Sequence, residues 1–173
     1  VSYPSAGNIG GGGFMVYRKS NGKTGALDYR ERAPINSTRD MYLDQNNNII
    51  EGLSMIGGLS VGVPGTIAGI FEAHEKFGVL PLSEVLQPVI DQAQKGIMVS
   101  YDLHNAIGST DQLKEDPESK RIYFKDNKPL PIGSVLKRPD LAKTIETISK
   151  HGKKGFYEGW VAEKIFITSL SSI

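Results

Sequence analysis

Cysteine is absent from the 173-residue chain, which removes disulfides, thiolate zinc sites and thiol catalysis together. An excess of either charge is missing too. Twenty Lys+Arg stand against nineteen Asp+Glu, a net charge of +1, so no basic or acidic footprint points to nucleic acid or an anionic membrane as a partner. No run reaches the roughly 18 consecutive apolar residues that span a bilayer. The three histidines, His74, His104 and His151, lie far apart, and none has a second ligand at i+3 or i+4 in a metal-binding pattern. His74 reads as a half-buried histidine on an apolar helix face, and His151 beside Gly152 as a helix C-terminal residue favoured by the dipole. Internal repeats, low-complexity stretches and domain linkers are also lacking.

At this length a chain buries roughly 70% of its unfolded surface, and a single domain is expected. Its ends read as those of a piece. Val1-Ser2-Tyr3-Pro4 carries no initiator Met, and Ile165 to Ile173 is an uncharged tail without a glycine stop. The expectation is one partial domain over 1–173, with no signal peptide legible.

Glycine, by contrast, is plentiful, and its most informative cluster is Gly10-Gly11-Gly12-Gly13 before Phe14-Met15-Val16-Tyr17. Four glycines make a poor strand, because each loses more backbone entropy on ordering than any other residue. Such a run implies either a close approach to the backbone or a positive φ. Beyond it, Phe14 to Tyr17 and Gly25 to Tyr29 flank Lys19-Ser20-Asn21-Gly22-Lys23, and Asn-Gly in such a gap signals a β-hairpin. The hairpin delivers Arg30 just beyond its second strand.

Helices follow. Asn36 to Asp40 offers capping side chains ahead of Met41-Tyr42-Leu43, and Asp44 to Asn48 is a polar surface loop. Pro64 suits a first helical position, with Ile67, Ile70, Phe71 and His74 at helical spacing and Gly78 as the stop. Leu82, Val85, Leu86, Val89, Ile90 and Ala93 form an amphipathic stripe from Pro81 to Gly96, with Pro88 expected to kink it. A short helix is expected over 101–108. Arg121 to Phe124 and Lys128 to Leu130 suggest a short strand pair or an irregular excursion around Asp126-Asn127. Pro139 opens a helix ending before Gly152, and Trp160 to Ile167 begins a last one. A hairpin followed mainly by helices is an α+β order, not the alternation that builds a doubly wound sheet.

Candidate chemistry thins quickly. Gly22-Lys23-Thr24 resembles the end of a phosphate loop, but Tyr17 stands where its first glycine belongs. A dinucleotide fingerprint needs glycine at Met15 or Val16. Gly58-Leu59-Ser60-Val61-Gly62 formally matches a nucleophile elbow, yet the helix begins later, at Pro64, so a coincidence in a glycine-rich loop is the plainer reading. Arg30 remains. Its planar fork can bind a carboxylate through two charge-assisted bonds, while on chemistry alone a surface ion pair with Glu31 or Asp28 is the favoured reading.

Several motifs in order carry more than any one of them. Gly10 to Met15, Asp28-Tyr29-Arg30-Glu31-x-Ala33-Pro34, Gly62-Val63-Pro64-Gly65-Thr66-Ile67-Ala68-Gly69, Glu72-Ala73-His74-x-Lys76-Phe77-Gly78, Gln87-Pro88-Val89-Ile90 and Gly155-Phe156-Tyr157-Glu158-Gly159 resemble the first part of the large subunit of the gamma-glutamyltransferase (gamma-glutamyltranspeptidase) family. The resemblance implies an α/β/β/α N-terminal-nucleophile hydrolase sandwich, cut from one precursor into two subunits. It implies that the N-terminal Thr of the small subunit attacks the γ-glutamyl amide of glutathione or a related donor, with its own α-amino group as base. The nucleophile, the oxyanion donors and the groups for the donor's amino end would then lie outside this chain, so no catalytic residue is expected here. Arg30 would grip the donor's α-carboxylate as the one substrate-binding residue. Partners would be the small-subunit polypeptide and γ-glutamyl compounds, with no cofactor, metal or nucleic acid, and the setting periplasmic or secreted. A related cephalosporin or glutaryl acylase, a poly-γ-glutamate-cleaving enzyme, or a truncated non-catalytic product uses much the same scaffold. Half a sandwich would also leave an apolar sheet face exposed. After about Phe166 the tail departs from the family pattern.

Overall fold

A computed structural model describes residues 1–170; the last part of the departing tail, Ser171 to Ile173, lies outside the described residues. The described residues gather into two compact units, one of residues 1–6 and 80–150, the other of residues 7–79 and 151–170.

The second unit opens with the expected hairpin, β1 (Phe14–Arg18) and β2 (Thr24–Asp28), antiparallel with Met15 opposite Leu27 and Tyr17 opposite Gly25. Gly22 turns the loop at φ 85°, a left-handed conformation that a side chain disfavours. Because side chains alternate across a strand, the hairpin has two distinct faces. Leu27 is buried, with Met15 and Tyr17 half-buried beside it, and the Tyr17 ring lies 4.6 Å from Phe77. On the opposite face Phe14 is 62% and Val16 83% exposed, the apolar sheet face expected of a partial sandwich.

Helix α1 (Thr66–Phe77) follows, starting two residues later than Pro64 would have it, with Gly65 at its N-cap. Arg32 and Val63 pair as an extended bridge through two backbone hydrogen bonds, which draws Pro64 out of the helix. The stretch from Asn36 to Leu43 is also not the capped helix its side chains suggest. It runs through turns in which Ser37 Oγ donates to the Pro34 carbonyl at 2.7 Å and Tyr42 OH donates to the Leu59 carbonyl at 2.9 Å. Short polar side chains serve local turns as readily as helix caps, and Met41 to Leu43 is too brief to decide the matter. Asp44 closes the next turn by accepting the Asn46 and Asn48 N–H groups.

The first unit is helical. It contains α2 (Leu82–Lys95) with Pro88 inside it, β3 (Ile97–Met98), α3 (Tyr101–Gly108), α4 (Gln112–Glu115), α5 (Pro117–Tyr123), β4 (Phe124–Lys125), β5 (Lys128–Pro129), β6 (Val135–Leu136) and most of α6 (Pro139–His151). Ser100 caps α3 by accepting the Leu103 N–H at 3.1 Å, and Asp116 caps α5 by accepting that of Ser119 at 2.7 Å. That cap, with Pro117 at the first helical position, keeps Arg121 to Tyr123 helical where a short strand or an irregular excursion was expected. The strand pair survives only as β4 and β5 around Asp126 and Asn127, both at positive φ. One core cluster joins Ile90 and Ala93 of α2 to Ala142 and Ile145 of α6, and another joins Val99, Leu103, Ile107, Phe124 and Leu136. The chain closes, in the second unit, with α7 (Lys154–Tyr157) and α8 (Gly159–Leu170), where Trp160 to Ile167 was expected to be helical.

Truncating Ile145 to Ala leaves a cavity against Ile90, Ala93 and Ala142 and is expected to cost about 2–5 kcal/mol. Ile35→Ala, at a residue 98% exposed, should stay within about 0.5 kcal/mol. Urea denaturation of the two variants checks the contrast.

Candidate functional site

Arg30 occupies a short span between two anchored stretches of backbone. Ahead of it, Tyr29 and Gly13 exchange backbone hydrogen bonds at 2.9 and 3.3 Å, extending the hairpin by one pair. Behind it, Arg32 is bound to Val63. Between them the chain leaves the ladder, and Asp28 Oδ1 accepts the Arg30 N–H at 3.0 Å to fix the bend.

The glycine run serves a close approach. None of Gly10 to Gly13 has a positive φ. A Cβ on Gly12 would lie 2.7 Å from the Glu31 nitrogen and from the Tyr29 oxygen, closer than real contacts allow. From the other side, a Cβ on Gly65 would run into the Tyr29 carbonyl oxygen and sit 2.8 Å from that of Arg30, and one on Gly69 would strike the Tyr29 side chain. Two glycine-rich segments far apart in sequence thus hold the Tyr29–Glu31 backbone between them. Gly11 adds a link by accepting the N–H groups of Gly65 and Thr66 at 2.9 and 3.0 Å.

The Arg30 side chain is 62% exposed, and its Nε donates to Glu31 Oε2 at 3.0 Å. Its guanidinium carbon lies 5.9 Å from the Phe14 ring centroid. With Nε engaged, the edge bearing Nη1 and Nη2 is the one left for a ligand, and that edge matches the two oxygens of a carboxylate. Glu31 is held below the ordinary carboxylate range first by its own backbone N–H, then by the charge and hydrogen bond of Arg30 and by the Gly12 N–H, against partial desolvation. Arg30 lines an open cleft of about 620 Å³ together with Glu31, Pro64, Glu72 and Tyr157. Glu72 is itself paired with Lys76 at 2.7 Å, which lowers its pKa.

Other sequence candidates fall elsewhere. Ser60 lies in a 3-10 turn (Gly58–Ser60) and donates its hydroxyl to the Gly57 carbonyl at 2.7 Å, so no strand feeds it and no elbow forms. Gly22-Lys23-Thr24 is the end of the hairpin turn. His104 Nδ1 is bonded to the Leu130 carbonyl at 2.8 Å. Among the described residues no group of three His, Cys, Asp or Glu side chains could hold a metal ion. The ion pair with Glu31 that the sequence allowed is present. Sequence reasoning did not single out Tyr157, which stood inside a recognisable motif but whose contacts at Pro64 and Ala68 no local pattern contains.

The chain as a whole is similar to known proteins. The profile of the family described as Gamma-glutamyltranspeptidase matches residues 1–170. The glutathione hydrolase proenzyme of Escherichia coli (strain K12) is 41% identical over 167 residues, covering 95% of this chain and 29% of the relative. That of Pseudomonas aeruginosa is 44% identical over 163 residues, covering 94% and 28%. The crystal structure of Helicobacter pylori gamma-glutamyltranspeptidase superposes with a TM-score of 0.91 at 40% identity, over 95% of this chain and 48% of that one. The chain therefore belongs to the gamma-glutamyltranspeptidase family. It has the N-terminal-nucleophile hydrolase fold, of which it carries a strand hairpin and a set of helices. It spans less than a third of the length of the curated relatives it matches.

Gly65→Ala forces the Tyr29 and Arg30 carbonyls to shift, and a cost of about 1–3 kcal/mol is expected, as for an overpacked core; thermal denaturation measures it. The Glu31 carboxylate, its folded pKa depressed, stabilises the fold fully above its unfolded value of about 4.3. That contribution is lost as pH falls through the lower folded value. A carbon-detected NMR titration should therefore find Glu31 turning over below pH 4.3 in the wild type, and moving back toward it in Arg30→Ala.

Proposed function

We propose that this chain supplies the donor-carboxylate site of an enzyme that transfers or hydrolyses γ-glutamyl groups, with Arg30 as the anchor. The observation that carries this is the guanidinium itself, held at Nε by Glu31 and placed at the cleft by a backbone clamped on both sides. The clamp leaves little freedom to lose when a carboxylate docks, which is what preorganisation contributes to affinity. Names borne by the relatives, glutathione hydrolase proenzyme among them, support glutathione and related γ-glutamyl compounds as donors.

The chemistry then runs across two subunits of one precursor. The hydroxyl of the small subunit's N-terminal Thr attacks the γ-carbonyl carbon while its α-amino group takes the hydroxyl proton. The amide C–N bond breaks, the proton passes to the departing amine, and a glutamyl ester remains. Water or the amine of an acceptor then attacks that ester, which yields glutamate or a new γ-glutamyl amide and restores the Thr. Arg30 takes no part in bond making. It fixes the far end of the donor, so that the γ-carbonyl arrives at the nucleophile in a productive position. Family likeness supports a periplasmic or secreted enzyme; among the described residues no helix is long and apolar enough to cross a membrane.

In the processed two-subunit enzyme, Arg30→Ala removes a charge-assisted pair worth about 1.5–3 kcal/mol, roughly 10- to 100-fold in kcat/KM for a γ-glutamyl anilide. Arg30→Lys keeps the charge without the fork and should recover only part of that loss. Near-normal kinetics for Arg30→Ala exclude the assignment.

A further inference from the structure

We infer that Tyr157 is a positioning residue for donor binding, acting through the start of α1 on Arg30; the inference rests on the carboxylate reading of Arg30 above. The first N–H groups of a helix have no intrahelical partner, and a Ser, Thr, Asp or Asn at the N-cap ordinarily accepts one of them. Helix α1 cannot use that device. Its N-cap is Gly65, with no side chain to offer, and any larger residue there would drive a Cβ into the Tyr29 carbonyl. The position that must be glycine to let Arg30's backbone pass is the position that should have capped the helix.

Tyr157 takes over the task from 89 residues away. Its hydroxyl accepts the N–H of Ala68, the third residue of α1, at 3.1 Å. The same hydroxyl donates to the Pro64 carbonyl at 2.8 Å. One oxygen therefore ties the residue before Gly65 to the helical turn after it, and Gly65 is the residue pressed against the Tyr29 and Arg30 carbonyls. The ring is held edge-on by the buried Phe156, with centroids 5.1 Å apart at 89°. Tyr157 also lines the cleft that holds Arg30, so the tether stands at the edge of the site. Without the hydroxyl the ring can stay in place, but Pro64 and Gly65 gain room to move, and the backbone carrying Arg30 moves with them.

Tyr157→Phe tests this in the processed two-subunit enzyme, alone and combined with Arg30→Lys. With Arg30 present, KM for a γ-glutamyl anilide should rise about fivefold, the equivalent of one cap's worth of about 1 kcal/mol, with kcat changed less than about twofold. In the Arg30→Lys background the same substitution should raise KM by less than about twofold, because residues acting through one another are not additive. An equal factor in both backgrounds overturns the inference, as does an unchanged KM accompanied only by a lower melting temperature. Precursor cleavage involves no donor carboxylate, so a Tyr157→Phe protein that no longer processes, judged by denaturing mass spectrometry, overturns it in favour of a folding role. The carboxylate reading fails by a different sign: Arg30→Lys alone leaving KM untouched, which removes the ground for this inference as well.

Discussion

The close passage of the Tyr29–Glu31 backbone between two glycine-rich segments is the constraint on which the site depends. Gly12 on one side and Gly65 on the other leave no room for a Cβ, and Gly69 leaves none against the Tyr29 side chain. Such proximity costs conformational entropy, because glycine is the residue with most freedom to lose. The return is positional. A residue that follows a hairpin would ordinarily sit on a mobile loop, whereas here it is pinned by Gly13 before, Val63 after, and packed backbone on both flanks. The bridge between Arg32 and Val63, the late start of α1 and the double acceptance at Gly11 all follow from that one passage.

Charge plays a smaller part than the number of ionic groups suggests. An exposed pair such as Arg30 with Glu31 contributes little stability in water. What it supplies is orientation, since it occupies Nε and so selects the edge of the guanidinium that remains available. The Arg121 pairs with Glu118 and Asp140 in the first unit have comparable distances and exposed partners, but no clamped backbone supports them. The difference between a surface ion pair and a candidate anchor lies in what holds the backbone beneath it.

Stability and site are separable in this chain. The first unit holds two apolar clusters; there α3 and α5 are capped by Ser100 and Asp116, while α2, which begins after Pro81, has no side-chain cap. In the second unit α1 has no side-chain cap of its own and borrows a hydroxyl from Tyr157. It also leaves an apolar strand face, with Phe14 and Val16, open to solvent. What sets α1 apart is that the glycine at its N-cap is the one pressed against the Tyr29 and Arg30 carbonyls, and that a hydroxyl from a distant segment takes over the cap.

The sequence by itself determined the hairpin, through Asn21-Gly22 and the alternation around it, and the long helices α2 and α6, through apolar spacing bounded by proline and glycine. It also marked Arg30, through its place after the second strand and the motif around it. These are signals of short range, written within one or two turns of chain. Where local signals were weak or conflicting they misled: Asn36 to Leu43 became turns, Arg121 to Tyr123 became helix, and Pro64 was drawn out of α1. Only the tertiary structure decided why Gly12 and Gly65 are glycine, which edge of Arg30 is offered, and that Tyr157 caps a helix begun 91 positions earlier, at Thr66. The glycines and the Tyr157 cap depend on packing between segments distant in sequence, and the Arg30 edge on how its bent backbone sets it against neighbouring Glu31; no periodicity along one segment encodes either.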